Sequence, residues 1–141
     1  MAAQAIRAAC VVCGVFLAPC ASARDSLPCP LPGQKTMAVA ELFFGLSVPG
    51  RGPVTAQEWR DFTSSTLTRY FPDGFTAYDG SGQWMAPRTH QVVREPSKIV
   101  IVVAKDDTRF AKNIAAVAAA YSAEFHQQSV GVVTQKACAA F

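Results

Sequence analysis

The sequence predicts a single α+β domain with the element order β-α-β-β-α-β. Three observations predict it. Two stretches, residues 55–71 and 106–125, carry apolar residues at helical spacing. Stretches of strand length precede and follow each of them, and Ile99 to Val103 is β-branched without a break. Between the helices, Phe71 to Lys98 reads as a hairpin onto which the rest can pack. A chain of 141 residues with 50% hydrophobic content suffices for one core.

The first residues read as an export signal. Arg7 supplies a short positive region, Ala8 to Ala18 an apolar run broken by Gly14, and Ala21-Ser22-Ala23 a small-x-small cleavage site. That run is about half the length needed to span a bilayer. We therefore expect a signal peptide over 1–23, no transmembrane segment, and an exported, periplasmic or secreted product. The other readings are an N-terminal core helix and a lipid anchor. Leu17-Ala18-Pro19-Cys20 resembles a bacterial lipobox, with Pro19 where a small residue belongs, and would attach lipid at Cys20. Residues 24–35, with Pro28, Pro30 and Pro32 around Cys29, read as an extended lead-in to a domain over 36–141.

Strand one is expected over Thr36 to Leu46. Both its faces are mostly apolar, as in a central strand. Helix one opens at Thr55, where Thr55 and Glu58 form a capping box and Val54 can staple onto Trp59. Its buried stripe is Trp59, Phe62, Thr63, Thr66, Leu67, Tyr70 and Phe71, and Pro72 ends it. Strand two is Phe75 to Tyr78, and Asp79-Gly80 is a turn signal. Strand three is Gln91 to Ala104, with a bulge or bend expected at Pro96. Asp106 or Asp107 caps helix two, whose stripe is Phe110, Ile114, Val117, Tyr121 and Phe125. Strand four runs Ser129 to Gln135.

This order is the split β-α-β, or ferredoxin-like, pattern: one four-stranded antiparallel sheet under two helices. Strands one and three are expected at its centre, parallel to each other, with two and four outside. The start of strand one then lies beside the end of strand four. Cys29 and Cys138 occupy those two places, and two cysteines in an exported domain read as one disulfide. The alternative is a pair of free thiols.

Seven words occur in order: AELFFG (Ala40–Gly45), EWRDF (Glu58–Phe62), RYFPDGFT (Arg69–Thr76), GQW (Gly82–Trp84), REPSK (Arg94–Lys98), QQSV (Gln127–Val130) and the ending from Cys138 to Phe141. Over residues 36–141 the chain resembles the exported bacterial domain-of-unknown-function family 3574. The resemblance implies an exported small α+β domain. It brings no activity and no catalytic residues.

Charge and motifs exclude several classes. A net charge of +3, from 13 Lys+Arg and 10 Asp+Glu, is scattered, so no nucleic-acid footprint is expected. His90 and His126 are far apart and lack companions at ligand spacing, so no metal is expected. There is no nucleophile elbow and no phosphate loop, so no cofactor is implied. Glu41 lies between Val39 and Phe43, where a lone carboxylate is costly to bury. An ion pair with Lys98 or Arg94 is the plain structural reading, a site role or a rim position the others. Gln83, Trp84, Arg94 and Glu95 form either a pocket wall or a hairpin clasp, with Trp84 covering the sheet edge and Arg94 or Glu95 satisfying turn amides; we favour the clasp.

Two functions follow. The first is a non-enzymatic exported binding or interaction module, using the sheet face or the Gln83-Trp84 hairpin. The rival is a small enzyme resembling dimeric α/β-barrel proteins, with Glu41 or Glu95 as general base in a pocket between sheet and helices. Strands one and three are apolar on both faces, and the helices can cover only one. A second copy of the chain, a bound apolar ligand or the chain's own segments Arg24–Gln34 and Ala86–Val92 could cover the other; neither segment is rich in large apolar residues, so a homodimer packed sheet to sheet, with Glu41 near its rim, ranks first.

Overall fold

The structure, a computed structural model, describes residues 28–141. The signal peptide expected over 1–23, the lipid attachment at Cys20 and lead-in residues 24–27 lie outside the described residues. The elements are β1 (Lys35–Gly45), α1 (residues 56–70), β2 (Thr76–Met85), β3 (Val92–Ala104), α2 (Thr108–Glu124) and β4 (Gly131–Ala139). One sheet has the order β2-β3-β1-β4, and every neighbouring pair is antiparallel. This is the ferredoxin-like arrangement predicted. β1 and β3 are central, but they run antiparallel rather than parallel. The reason is topological: each helical crossover joins strands that are parallel but separated by one strand, β1 to β2 across β3, and β3 to β4 across β1.

Alternation along β1 turns Ala38, Ala40, Leu42 and Phe44 toward the helices, with Val100 and Val102 of β3 beside them. Phe44 meets Trp59, Phe62 and Tyr121 edge-on, at centroid distances of 5.4, 6.0 and 4.7 Å. Such edge-to-face pairs add to the area they bury. The fully buried Tyr121 hydroxyl donates to the Gly45 carbonyl at 2.7 Å, so its polar tip is satisfied. Burial pushes that phenol above its ordinary range.

In α1 the capping box forms as read. Glu58 N–H donates to Thr55 Oγ1 at 3.2 Å, and Thr55 N–H donates to the Glu58 carboxylate at 2.7 Å. These bonds hold Glu58 below the usual carboxylate range. After Ala56–Phe62 the helix widens into a π segment, Thr63–Leu67, before the α-helical turn Thr68–Tyr70. Periodicity did not reveal this segment. Its cause is a run of hydroxyls bonding backwards: Thr63 and Ser64 to the Arg60 carbonyl, Ser65 to that of Asp61, and Thr68 to that of Thr63. The extra residue per turn keeps Leu67 and Phe71 in the core, while Thr63, Thr66 and Tyr70 are only partly buried.

Asp107 caps α2, accepting from the N–H groups of Arg109 and Phe110 at 2.9 and 3.1 Å. The helix ends with His126 at φ 52°, and Gln127 N–H donates to the Ser122 carbonyl. This is a Schellman closure with histidine where glycine is usual.

Four boundary readings change. Asp79-Gly80-Ser81-Gly82 is not a turn: β2 stays extended through it, paired in register with Glu95 to Lys98. A side chain at Gly80 would strike Ile99 Cδ1 at 2.7 Å and Ser97 Oγ at 2.9 Å, so the glycine serves packing rather than a bend. The chain reverses at Pro87-Arg88-Thr89-His90, closed by Ala86 N–H to the Gln91 carbonyl, with His90 at φ 54°. Pro96 introduces no bulge, since the β2–β3 register is continuous past it. Leu46 N–H donates to the Pro96 carbonyl, and the Leu46 carbonyl takes the Val54 N–H that stands in for the donor proline lacks. β4 starts and ends later than expected, at Gly131 and Ala139. The described part of the lead-in is not extended either. It turns at Gly33, φ 80°, with Gln34 N–H donating to the Leu31 carbonyl, and β1 already begins at Lys35.

Thr36 pairs with Cys138, and the Cys29–Cys138 disulfide forms across a Cα separation of 5.5 Å. The two ends of the domain are thereby joined beside β1, as the fold required.

Candidate functional site: the open sheet face and its projecting hairpin

Alternation and register assign the face that the helices leave uncovered. β1 contributes Met37, Val39, Glu41 and Phe43, and β3 contributes Val93, Glu95, Ser97, Ile99, Ile101 and Val103. β2 adds Thr76, Tyr78, Gly80, Gly82 and Trp84, and β4 adds Gly131, Val133 and Gln135. Phe43, Tyr78, Trp84 and Val133 are exposed there, and Val39 is the one residue on the list that its neighbours bury. Two glycines flatten the surface. Ile99 lies over Gly80, and Phe43 lies over Gly131, where an added Cβ would come within 3.3 Å of Phe43 Cβ.

Glu41 lies inside this face, not at its rim, in the row Thr76–Ile101–Glu41–Val133. It is partly buried. The expected ion pair with Lys98 or Arg94 does not form. Lys98 projects to the opposite face and pairs with Asp79, its register partner on β2, and Arg94 is exposed on that same side, opposite Gln83. Among the described strand residues of the open face, the only base is Lys35, six residues along β1 from Glu41.

The four hairpin candidates divide. Glu95 acts as a clasp: its carboxylate accepts from Ser47 N–H at 2.9 Å and fills the space over Gly45, where a Cβ would come within 2.7 Å of it. This is the turn-amide role expected of Arg94 or Glu95, and Glu95 performs it. Trp84 does not cover the sheet edge. It stands 46% exposed on the open-face side, while Gln83 and Arg94 point the other way and are exposed. β1 ends its ladder at Gly45, opposite Ser97, but β2 and β3 remain paired as far as Met85 and Val92. Residues 83–94 therefore project as a two-stranded arm, with Trp84, Met85 (60% exposed) and Val92 (50%) on it.

A groove of about 630 Å³ lies on the helix side, between the Ala111, Ala115 and Ala118 flank of α2 and Val132, Thr134 and Lys136 of β4. The enzyme reading placed its pocket between sheet and helices, yet this groove is lined by neither Glu41 nor Glu95. Asp106 at its end pairs with Lys136. Among the described residues no group of three or more His, Cys, Asp and Glu is placed to hold a metal ion. No helix among them is long and apolar enough to cross a membrane.

Sequence reasoning missed Tyr78, Gly80 and Gly82 as parts of one face. The signal was present: Thr76, Tyr78, Gly80, Gly82 and Trp84 alternate without a break once the glycines are read as strand.

Residues 39–141 match the model of the family described as a protein of unknown function (DUF3574). The chain belongs to that family. Its fold resembles that of a phage SAM lyase in complex with S-methyl-5'-thioadenosine, with a TM-score of 0.58 at 19% identity over 74% of this chain and 90% of that one. A phage SAM lyase in its apo state gives a TM-score of 0.55 at 22% identity over 79% and 87%. Among curated proteins none matches the sequence. At these identities the likeness to the lyases is one of fold.

Proposed function

We propose that this member of the family is an exported interaction module that works as a homodimer packed through its open sheet face. One observation carries the reading: the helices bury one side of the sheet, and the other side is largely apolar and flattened by glycine, with Glu41 unpaired inside it and the Glu95 carboxylate at the end nearest the arm. Contiguous apolar surface of this kind marks an interaction site. An antiparallel sheet with one solvated face would alternate apolar with polar residues, and β3 presents Ile99, Ile101 and Val103 on the open side as well as Val100 and Val102 on the covered one. The N-terminal sequence and the Cys29–Cys138 bond support export.

Sedimentation at micromolar concentration tests the dimer. The wild-type chain should sediment as a dimer and Phe43→Lys as a folded monomer. A wild-type monomer would refute the reading. Intact mass tests export: the mature chain should begin at Arg24, whereas a diacylglycerol on Cys20 would establish a lipoprotein.

A second reading has its own support. Glu41 has no ion-pair partner among the described residues and stands amid apolar neighbours, which suits a general base or a ligand contact once the face is covered. Glu95, already committed to Ser47 N–H, is the weaker candidate for that role.

A further inference from the structure

The β1 ladder ends at Gly45, opposite Ser97, and beyond it the arm consists of β2 and β3 alone. The last two rows of the arm are Trp84–Val93 and Met85–Val92. Strand alternation sends them to opposite sides of the ribbon: Trp84 and Val93 face the open side of the sheet, and Met85 and Val92 face the helix side. Trp84, Met85 and Val92 are exposed. A two-stranded ribbon is marginal by itself in water, and this one is apolar on both sides in adjacent rows. A flat protein surface laid against one side would leave the other wet. An interface that closes around the ribbon desolvates both.

Charge says which interface. Bases bracket the two apolar rows: Arg88 lies in the turn beyond them, and Arg94 lies in the next row behind, opposite Gln83. Both arginines are exposed, and among the described residues neither is in an ion pair. From Gly80 to Arg94 the chain carries no acid. The two acids that flank this stretch are engaged elsewhere, Asp79 with Lys98 and Glu95 with Ser47 N–H. The arm is therefore cationic, with a tryptophan among aliphatic side chains. Tryptophan is enriched where hydrocarbon meets headgroups, and basic side chains are drawn to an anionic leaflet.

We propose that the arm docks the protein on a membrane surface rich in anionic phospholipid. Trp84, Val93, Met85 and Val92 settle at the boundary between headgroups and acyl chains, and Arg88 and Arg94 pair with lipid phosphates on either side of them. The attachment is peripheral and reversible, since two bases and four apolar side chains fall far short of a membrane-spanning segment. It does not require the dimer proposed above.

Flotation with lipid vesicles tests this, using the disulfide-bonded chain beginning at Arg24 so that no lipid anchor intervenes. Vesicles of phosphatidylglycerol and phosphatidylethanolamine should carry the protein upward at low salt, and phosphatidylcholine vesicles should not. Trp59, the other tryptophan, is buried in the core, so a blue shift of tryptophan emission on binding reports Trp84. Trp84→Phe should abolish that shift. Each arginine near such a surface strengthens binding about fivefold, so Arg88→Gln/Arg94→Gln should weaken it about 25-fold with an unchanged circular dichroism spectrum. Absence of flotation on the anionic vesicles would overturn the proposal. Equal flotation of the wild type and Arg88→Gln/Arg94→Gln would do the same, because another surface would then be responsible. Binding without a blue shift would also overturn it, since the apolar rows would have stayed in water and charge alone would be at work. Sedimentation reads the dimer separately, so neither result depends on the other.

Discussion

Gly45→Ala should change sign with the identity of residue 95. The β1 backbone at Gly45 is extended and suits any residue, so alanine there restricts the unfolded chain and should stabilise the fold by about 0.5–1 kcal/mol. Against this, the new Cβ would come within 2.7 Å of Glu95 Oε1 and 2.9 Å of its other carboxyl atoms. The carboxylate is the end of a flexible side chain and can swing away, but it then loses its 2.9 Å bond from Ser47 N–H. A charged hydrogen bond at a solvent-accessible site contributes about 1–1.5 kcal/mol. In the wild-type background the loss outweighs the gain, and Gly45→Ala should destabilise by about 0.5 kcal/mol. In the Glu95→Ala background nothing remains to displace, and the same substitution should stabilise by about 0.5–1 kcal/mol. The coupling energy is then about 1–1.5 kcal/mol, large enough for a double-mutant cycle. The assay is urea denaturation of the four proteins at one concentration, where sedimentation shows a single species. A Gly45→Ala effect of the same sign in both backgrounds would refute the reasoning and show that Glu95 is no clasp.

Three further outcomes are expected. Tyr121→Phe should cost about 1–2 kcal/mol by orphaning the Gly45 carbonyl. Because burial raises the Tyr121 pKa above its ordinary 10.0, the folded state binds the phenolic proton more tightly than the unfolded one. Stability from this group is whole below pH 10 and falls as pH rises beyond it, by up to about 1.4 kcal/mol per unit, a dependence that Tyr121→Phe should reduce in alkaline denaturation curves. Trp59→Ala should cost about 3–5 kcal/mol, since the indole packs on Phe44 in the core; a denaturation midpoint that barely moves would show the ring to be dispensable. Thiol labelling of the non-reduced mature protein should find no free cysteine, and reduction should lower stability by up to about 4–5 kcal/mol for a bridge closing 109 residues of chain.

The parts of this protein that are legible in its sequence are those set by neighbours along the chain. The Thr55–Glu58 box and the Asp107 cap act over three residues, and the stripe from Phe110 to Phe125 needs only the 3.6-residue period. The element order was legible because each helix and strand has its own period, and it led to the Cys29–Cys138 bond through topology. What tertiary structure alone decided depends on which strand lies beside which. Asp79-Gly80 has the chemistry of a turn, yet ten residues of β2 pair with β3, and Gly80 makes room for Ile99 and Ser97. Glu41 was readable as a carboxylate among apolar residues, but its place inside the open face follows from Ile101 on one side and Val133 on the other. Lys98 could not reach it because strand alternation turns that lysine to the opposite face, where Asp79 waits on the next strand. Pairing across a sheet joins residues far apart in the chain, and a one-residue change of register reverses every side chain. Local sequence therefore determines the elements, while the sheet determines which of their residues share a surface.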